Sequence, residues 1–223
     1  MDSELISKLL QPFVTSPLSE AQLTNISTYI DILLRWNQKL NLTAVRDPEQ
    51  IVTRHFGESI FAAGHLFAQT AIESSPYLVD VGSGAGFPGI PMKLCFPFLR
   101  VELIESHQKK ATFLREIIRH LGLTQIDVFA GRAEALQDRI FDVVTLRAVE
   151  RFEDVLPVAA KLLNPEGRLA LLVGEGQISA ATTLLPSFRW QDPVRIPIST
   201  SRVLLVGSET RAGSVLVTQN QGS

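Results

Sequence analysis

The chain has 223 residues, 45% of them hydrophobic, and a formal net charge of −2, a composition that excludes a disordered polymer. No apolar stretch reaches transmembrane length, and a nucleic-acid partner would need a local basic patch rather than a global positive field. Cys95 is the only cysteine, which excludes an internal disulfide, and the first residues lack the pattern of a signal peptide. We therefore predict a cytoplasmic protein.

The first third of the sequence predicts helices alone. Apolar residues recur at helical spacing over 23–40, and this spacing places them on one face of a helix. Ser19 and Gln22 match a capping box at the start of that helix. Asp47 followed by Pro48 predicts the start of another helix, because proline is favoured at the first helical position.

Beyond residue 75, short apolar runs alternate with helical stretches. The predicted strands are 77–81, 101–104, 126–129, 141–146 and 169–173, the predicted helices are 88–95, 108–121 and 155–163, and 203–207 with 214–217 predict a closing hairpin. This alternation is typical of βαβ units and predicts an α/β fold with a doubly wound, mostly parallel sheet. We expect a helical segment at residues 1–75 and an α/β domain at residues 76–223.

A glycine-rich turn follows the first predicted strand. Gly82, Gly84 and Gly86 permit positive φ and let a ligand approach the backbone closely. Phe87 occupies the place of the third glycine of a dinucleotide site, which disfavours a nicotinamide-dependent oxidoreductase. Asp80, two residues before the first glycine, would repel pyrophosphate but suits an amino group and a sulfonium. The turn therefore predicts S-adenosylmethionine as the ligand, the alternative being a glycine turn without one.

Candidate residues also follow the second and third predicted strands. Glu105 lies about twenty residues after the glycine turn, where an acid accepts hydrogen bonds from ribose hydroxyls; the alternative is an exposed acid at a helix start. Ala133 and Glu134 would border the base of a nucleoside ligand, with Glu134 accepting from an exocyclic amine. A solvated loop is the alternative for this pair.

Arg147 closes the fourth predicted strand. Strand order in a doubly wound sheet reverses between the first and fourth strands, so Gly82 and Arg147 are expected to flank one ligand crevice. The guanidinium would bind a carboxylate or a phosphate, and the alternative is an ion pair with Glu150 or Glu153. The histidines show no metal-ligand spacing and Cys95 has no second cysteine beside it, so we expect no metal site.

Basic side chains suited to a nucleic-acid patch occur on several predicted helices, although each equally suits a solvated helix face. These residues are Arg35, Lys39, Arg46, Arg54, Lys109, Lys110, Arg115 and Arg119. Trp36 lies beside the inner face of its helix, where core packing is favoured over base stacking.

Four segments together resemble the bacterial small-subunit ribosomal RNA methyltransferase G family, also called glucose-inhibited division protein B. They are residues 36–43 (WNQKLNLT), 54–56 (RHF), the glycine turn 80–89, and 147–149 (RAV). The resemblance implies the class I S-adenosylmethionine-dependent methyltransferase fold with a seven-stranded sheet. It implies methyl transfer to N7 of a guanine in 16S ribosomal RNA, either naked or in a 30S-type particle. It also implies cofactor contacts at Gly82, Phe87, Ala133, Glu134 and Arg147.

The sequence departs from the family pattern at three positions. Gly57 and Glu58 replace a hydrophobic residue and an aspartate, and Val173 stands where the family usually has lysine. Guanine N7 carries a lone pair and no proton, so the reaction needs no base and we assign no catalytic acid or base. A methyltransferase for another substrate and a noncatalytic ribosome-assembly factor remain the alternative functions.

Overall fold

The computed structural model describes residues 1–136 and 139–210, in which helices precede an alternation of strands and helices. The helices are α1 (Ser3–Leu10), α2 (Glu20–Leu40), α3 (Pro48–Gln50), α4 (Glu58–Phe67), α5 (Gly89–Cys95), α6 (Gln108–His120), α7 (Phe152–Ala160) and α8 (Ile178–Leu184). The strands are β1 (Tyr77–Val81), β2 (Arg100–Ile104), β3 (Ile126–Phe129), β4 (Phe141–Arg147), β5 (Leu163–Gly174), β6 (Phe188–Trp190), β7 (Val194–Arg195) and β8 (Arg202–Glu209). A π-helical stretch, Ile51–Gly57, joins α3 to α4.

The sheet has the order β3-β2-β1-β4-β5-β8-β6, with the two-residue β7 paired to β8 off this path. Strands β1 to β5 pair in parallel, whereas β8 is antiparallel to β5. The predicted doubly wound, mostly parallel sheet is confirmed. Among the described residues, seven strands form the continuous order and β7 is an eighth, and the sequence indicated neither β6 nor β7. Strand β8 pairs with β5 and β6, and residues 214–217 of the predicted hairpin lie outside the described residues.

Strand order reverses between β1 and β4, which pair in parallel with each other. The chain leaves β1 towards β2 on one side and reaches β5 from β4 on the other. The carboxyl ends of β1 and β4 therefore flank a crevice, which is where ligands bind in open α/β sheets.

The amino-terminal helices begin as the sequence predicts. Gln22 N donates to Ser19 Oγ at 3.3 Å, and Ser19 N donates to Gln22 Oε1 at 2.8 Å, which completes the capping box. Asp47 Oδ2 accepts from Gln50 N at 3.0 Å ahead of Pro48. Each of these contacts spans three residues, so residues close in sequence determine where the two helices begin.

The helical segment and one face of the sheet share a hydrophobic core. The largest buried side chains of α2, including Ile30 and Leu33, belong to the same cluster as Phe113 of α6 and Leu103 of β2. Side chains from both sides of residue 75 belong to this one cluster. The division of the chain at residue 75 therefore stays a prediction. Among residues 1–136 and 139–210, no helix has the length and apolar composition to cross a membrane.

Candidate functional site

The turn after β1 is built largely from backbone hydrogen bonds. Gly82 N and Ser83 N both donate to the carbonyl of Ile104 at the end of β2, at 3.0 and 2.9 Å. Gly82, Gly84 and Gly86 have φ values of +72°, +56° and +86°, a region that residues with a Cβ adopt only at a cost. The glycines therefore let the chain turn sharply at the carboxyl end of β1.

The three glycines face different surroundings. A Cβ on Gly84 would come no closer than 3.9 Å to another atom, the carbonyl oxygen of Gly82. A Cβ on Gly86 would collide with the Tyr29 hydroxyl and lie 2.7 Å from Ile90 Cδ1, while one on Gly82 would lie 2.9 Å from Val149 Cγ1. Gly84 thus borders open space, whereas Gly86 is packed against the helices. All three stay predicted cofactor contacts.

Asp80 faces the underside of the turn. Its Oδ2 accepts from Gly89 N at 3.2 Å, and its Oδ1 accepts from Thr145 Oγ1 at 3.0 Å. The side chain is fully buried, and that burial raises the pKa of Asp80 to about 6. Its oxygens hold the turn and α5 in place, and its contact with a ligand's amino group stays a prediction.

Glu105 lies directly beside the glycine turn. Its Oε2 accepts from Gly84 N at 2.9 Å, and its Oε1 accepts from His107 N at 2.7 Å. Each carboxylate oxygen has a second lone pair, so both retain capacity for a ligand hydroxyl. The side chain is buried. The hydrogen bond from Gly84 N brings Glu105 to the glycine turn, as the ribose prediction requires. The ribose role itself stays a prediction.

Ala133 and Glu134 lie on a short 3₁₀ turn, Ala133–Leu136, between β3 and β4. Ala133 is buried in the cluster beneath the other face of the sheet, whereas Glu134 is exposed. The pair therefore combines a packed small residue with a solvent-facing acceptor, and its contact with a nucleoside base stays a prediction.

Phe87 is enclosed by aromatic rings from the amino-terminal helices. Its ring lies parallel to that of Tyr29, with centroids 5.4 Å apart and planes 4° apart, and Phe56 approaches edge-on at 5.2 Å. The centroid of the His55 ring lies 4.9 Å from that of the Phe87 ring. Tyr29 was not predicted from the sequence, although it lies at helical spacing three residues after Ile26, which would have placed it on the inner face.

Arg147 ends β4 in a buried ion pair. Its Nε and Nη2 donate to Glu58 Oε2 at 3.1 and 3.0 Å, and the two side chains are 9% and 4% exposed. The ion pair that was the alternative for Arg147, with Glu150 or Glu153, is made with Glu58 instead, and a cofactor contact at Arg147 stays a prediction. Glu58 is one of the residues at which the sequence departs from the family pattern.

A second arginine meets the same carboxylate. Arg202 Nε, from β8, donates to Glu58 Oε2 at 3.0 Å, and its side chain is 22% exposed. The two guanidinium groups and the carboxylate together carry one net positive charge. Nothing in the sequence singled out Arg202, since its partner lies 144 positions away.

His55 completes this network as a neutral ring. Arg147 Nη2 lies 2.9 Å from His55 Nδ1, and because arginine only donates, Nδ1 accepts. The proton then lies on Nε2, which is 2.7 Å from Thr43 Oγ1. Burial and the neighbouring arginines lower the pKa of His55 to about 3. The ring therefore orients Arg147 without adding charge.

Trp36 packs against Phe113 of α6, with ring centroids 5.8 Å apart, which confirms core packing for this residue. In the described part of the chain, no group of three or more histidine, cysteine, aspartate or glutamate side chains is placed to hold a metal ion.

The crevice combines features suited to S-adenosylmethionine. The space beside Gly84 is one that a Cβ would fill, and hydrogen-bonding capacity remains at Glu105. A nucleoside with hydroxyls and an amino-acid tail matches an acceptor next to a half-buried glycine backbone that borders open space. The residues present therefore fit this cofactor.

Comparison with known proteins identifies sequence relatives. The family model described as "rRNA small subunit methyltransferase G" matches residues 22–185. The ribosomal RNA small subunit methyltransferase G of Xylella fastidiosa strain M23 is 39% identical over 70% of this chain and 71% of its own length. The protein of that name from Xanthomonas campestris pv. campestris strain B100 is 38% identical over 76% of this chain and 78% of its own length.

Solved structures share the fold at low sequence identity. A ribosomal protein L11 methylase from Lactobacillus delbrueckii subsp. bulgaricus superposes with a TM-score of 0.59 and 16% identity, covering 71% of this chain and 79% of that one. MtNAS in complex with MTA and tNA gives a TM-score of 0.62 and 14% identity, covering 95% and 90%. These similarities confirm the predicted class I methyltransferase fold.

Proposed function

Since this chain belongs to the rRNA small subunit methyltransferase G family, we propose that it methylates N7 of a guanine in 16S ribosomal RNA. Family membership confirms the predicted enzyme class and its use of S-adenosylmethionine. The observation that carries the proposal is the pairing of Gly84, beside open space, with Glu105 at the carboxyl ends of β1 and β2.

We place the cofactor along the ends of β1, β2 and β3. The turn at Gly82, Gly84, Gly86 and Phe87 would surround its amino-acid end, with Gly84 in closest approach. Glu105 would accept hydrogen bonds from the ribose hydroxyls, since each of its oxygens has a lone pair to spare. At the base end, Ala133 supplies a small surface and Glu134 an acceptor. Arg147 would contact the cofactor from the other side of the crevice.

The chemistry requires alignment rather than proton removal. When bound, S-adenosylmethionine would supply a methyl group on a positively charged sulfur, which keeps the electron pair of the methyl–sulfur bond when the methyl group leaves. Guanine N7 would accept the methyl group with a lone pair that is already free. The chain must hold the two reactants in line, and the rigid turn and the buried Arg147–Glu58 pair present fixed walls for that purpose. The target guanine must be unpaired or must leave its stack to enter the crevice.

Basic side chains near the crevice are suited to the RNA backbone. The backbone carbonyl of Arg54 accepts from Arg147 Nη2 at 2.8 Å, which places the exposed Arg54 at the rim. Lys109 and Lys110 lie in the first turn of α6, a few residues after Glu105. Each phosphate that such residues neutralise contributes about one unit to the salt dependence of binding. A local patch of this kind reconciles a net charge of −2 with a polyanionic partner.

We further propose that the substrate is a 30S-type particle or its RNA, and that the protein acts in the cytoplasm, where ribosomes assemble. Methylation of naked 16S RNA and of isolated small subunits, each assayed with radiolabelled cofactor, would identify the preferred form. Mapping the modified nucleotide would then locate the guanine.

The decisive test replaces guanine by 7-deazaguanine at the mapped position. The analogue has carbon in place of N7 and offers no lone pair, so we expect transfer to it to fall to background while RNA affinity stays unchanged. Guanine-containing RNA of the same sequence is the control. Undiminished transfer to the analogue would rule out N7, and absence of transfer to any small-subunit RNA would favour a noncatalytic assembly factor.

A further inference from the structure

Helix α2 reaches the glycine turn through the side chain of Tyr29. This residue is fully buried, and its hydroxyl donates to the carbonyl of Ala85, which lies between Gly84 and Gly86. Its ring is stacked parallel to that of Phe87. Tyr29 therefore contacts the turn both by a hydrogen bond and by ring packing.

The turn is consequently held from two sides. Glu105 accepts from Gly84 N at 2.9 Å, and Tyr29 donates to the carbonyl of the next residue. With this carbonyl directed at the phenol, one of its lone pairs is engaged inside the protein rather than presented to the carboxylate of an amino-acid ligand. Gly86 has no room for a side chain because the Tyr29 hydroxyl occupies that space.

The phenol remains a donor over the working pH range. Burial raises the pKa of Tyr29 well above its ordinary value, and the negative charge of Asp80 adds to this effect. The hydroxyl therefore keeps its proton, and its bond to the Ala85 carbonyl does not depend on the state of a neighbouring acid or base.

We infer that Tyr29 is a positioning residue for cofactor binding, which fixes the Ala85 carbonyl and so orients the backbone of Gly84 towards S-adenosylmethionine. The inference rests on the proposed function, since it assigns a role within the same site. It gives the helical segment a part in the cofactor site, although that segment lies outside the sheet.

The test compares two tyrosine-to-phenylalanine variants. The chain contains two tyrosines, and Tyr77 donates to Glu102 Oε2 at 2.8 Å from the amino end of β1, the end remote from the turn. We expect Tyr29→Phe to weaken S-adenosylmethionine binding about tenfold in calorimetry. The KM for the cofactor should rise in proportion while the KM for RNA stays unchanged. Tyr77→Phe is the matched control and should leave cofactor affinity unchanged.

Fluorine NMR supplies a second measurement that keeps the Tyr29 hydroxyl. In the Tyr77→Phe background, 3-fluorotyrosine labels position 29 alone. We expect its resonance to shift on titration with S-adenosylmethionine, with the midpoint that calorimetry gives. In the Tyr29→Phe background the same label reports position 77, whose resonance should not move.

The outcomes separate this inference from the function on which it rests. Wild-type protein that binds no S-adenosylmethionine overturns both. Wild-type binding with unchanged affinity in Tyr29→Phe overturns the positioning role alone, even if the melting temperature falls. The positioning role is likewise overturned if the fluorine resonance at position 29 does not shift on saturation with S-adenosylmethionine.

Discussion

The carboxyl ends of β1 and β4 flank one crevice, but they are built in different ways. After β1, residues close in sequence form the turn, and its shape depends on glycines with positive φ and on backbone donors. After β4, the side chain of Arg147 is held by Glu58, which lies 89 positions away. One wall of the crevice is therefore shaped mainly by the backbone of one short turn, which Glu105 and Tyr29 hold in place. The other wall depends on buried charges gathered from distant segments.

The largest effect on stability is expected at Glu58, which pairs with both Arg147 and Arg202. Glu58→Gln removes the carboxylate from between Arg147 and Arg202 and leaves both guanidinium groups without their ion-pair partner. Breaking a buried pair in this way costs about 3–5 kcal/mol, measured as the free energy of unfolding in urea. Asp154→Asn is the control, because the Arg151–Asp154 pair is 75% and 61% exposed and its loss should cost about 1 kcal/mol or less. Equal losses in the two variants would contradict a special role for the buried network.

A pH effect is expected beneath the glycine turn. The pKa of Asp80 is raised from 3.8 to about 6 by burial, so folding favours its protonated form. The stabilisation is fully present below the unfolded pKa and is lost as pH rises through about 6, which corresponds to about 3 kcal/mol in all.

The measurement compares wild type with Asp80→Asn, which does not titrate at this position. Between about pH 4 and about pH 7, the difference in unfolding free energy should move in favour of the variant by about 3 kcal/mol. His55, whose pKa is lowered to about 3, titrates in both proteins and largely cancels. A difference that stays constant across this range would show that the carboxyl group is ionised throughout.

The glycines within the turn offer a finer comparison. Gly86→Ala should cost about 2–3 kcal/mol of stability, because its methyl group meets Tyr29 and Ile90 in a packed region and φ is positive. Gly84→Ala should cost only about 1 kcal/mol of stability, since its methyl group enters open space. That space is the proposed cofactor site, so S-adenosylmethionine affinity should fall at least about tenfold.

Urea unfolding and calorimetric titration of both variants check this contrast. If Gly84→Ala binds the cofactor as tightly as wild type, the cofactor does not approach that backbone. A greater loss of stability in Gly84→Ala than in Gly86→Ala would contradict the packing difference.

An effect on cofactor affinity is also expected at Glu105. Glu105→Gln keeps one acceptor oxygen, so cofactor affinity should fall by about 1.5 kcal/mol, the lower end for hydrogen bonds to a charged group. Calorimetry with S-adenosylmethionine and with its 2′-deoxy analogue completes a double-mutant cycle. The difference in affinity between the two ligands should be smaller on the variant than on wild type. Glu102→Gln, at a buried glutamate within β2, should leave both affinities unchanged. Equal losses for both ligands on Glu105→Gln would mean that the carboxylate does not contact the ribose.

Features that depend on neighbouring residues were predictable from the sequence. The capping box at Ser19, the helix start at Asp47–Pro48 and the turn after β1 all appear where the pattern predicted them. Each follows from a contact over three or four residues or from the backbone freedom of glycine. The placement of Glu105 beside Gly84 was equally predictable, because consecutive parallel strands bring their carboxyl ends together.

Contacts between distant segments were decided by the tertiary structure alone. Arg147 pairs with Glu58 and not with the nearby Glu150 or Glu153, and Asp80 turns inwards to Gly89 and Thr145. Apolar periodicity shows which face of a helix is buried, but it does not show which charged groups that burial brings together. A buried charge requires its counter-charge and hydrogen bonds wherever the fold supplies them, and in this protein the amino-terminal helices and β8 supply them.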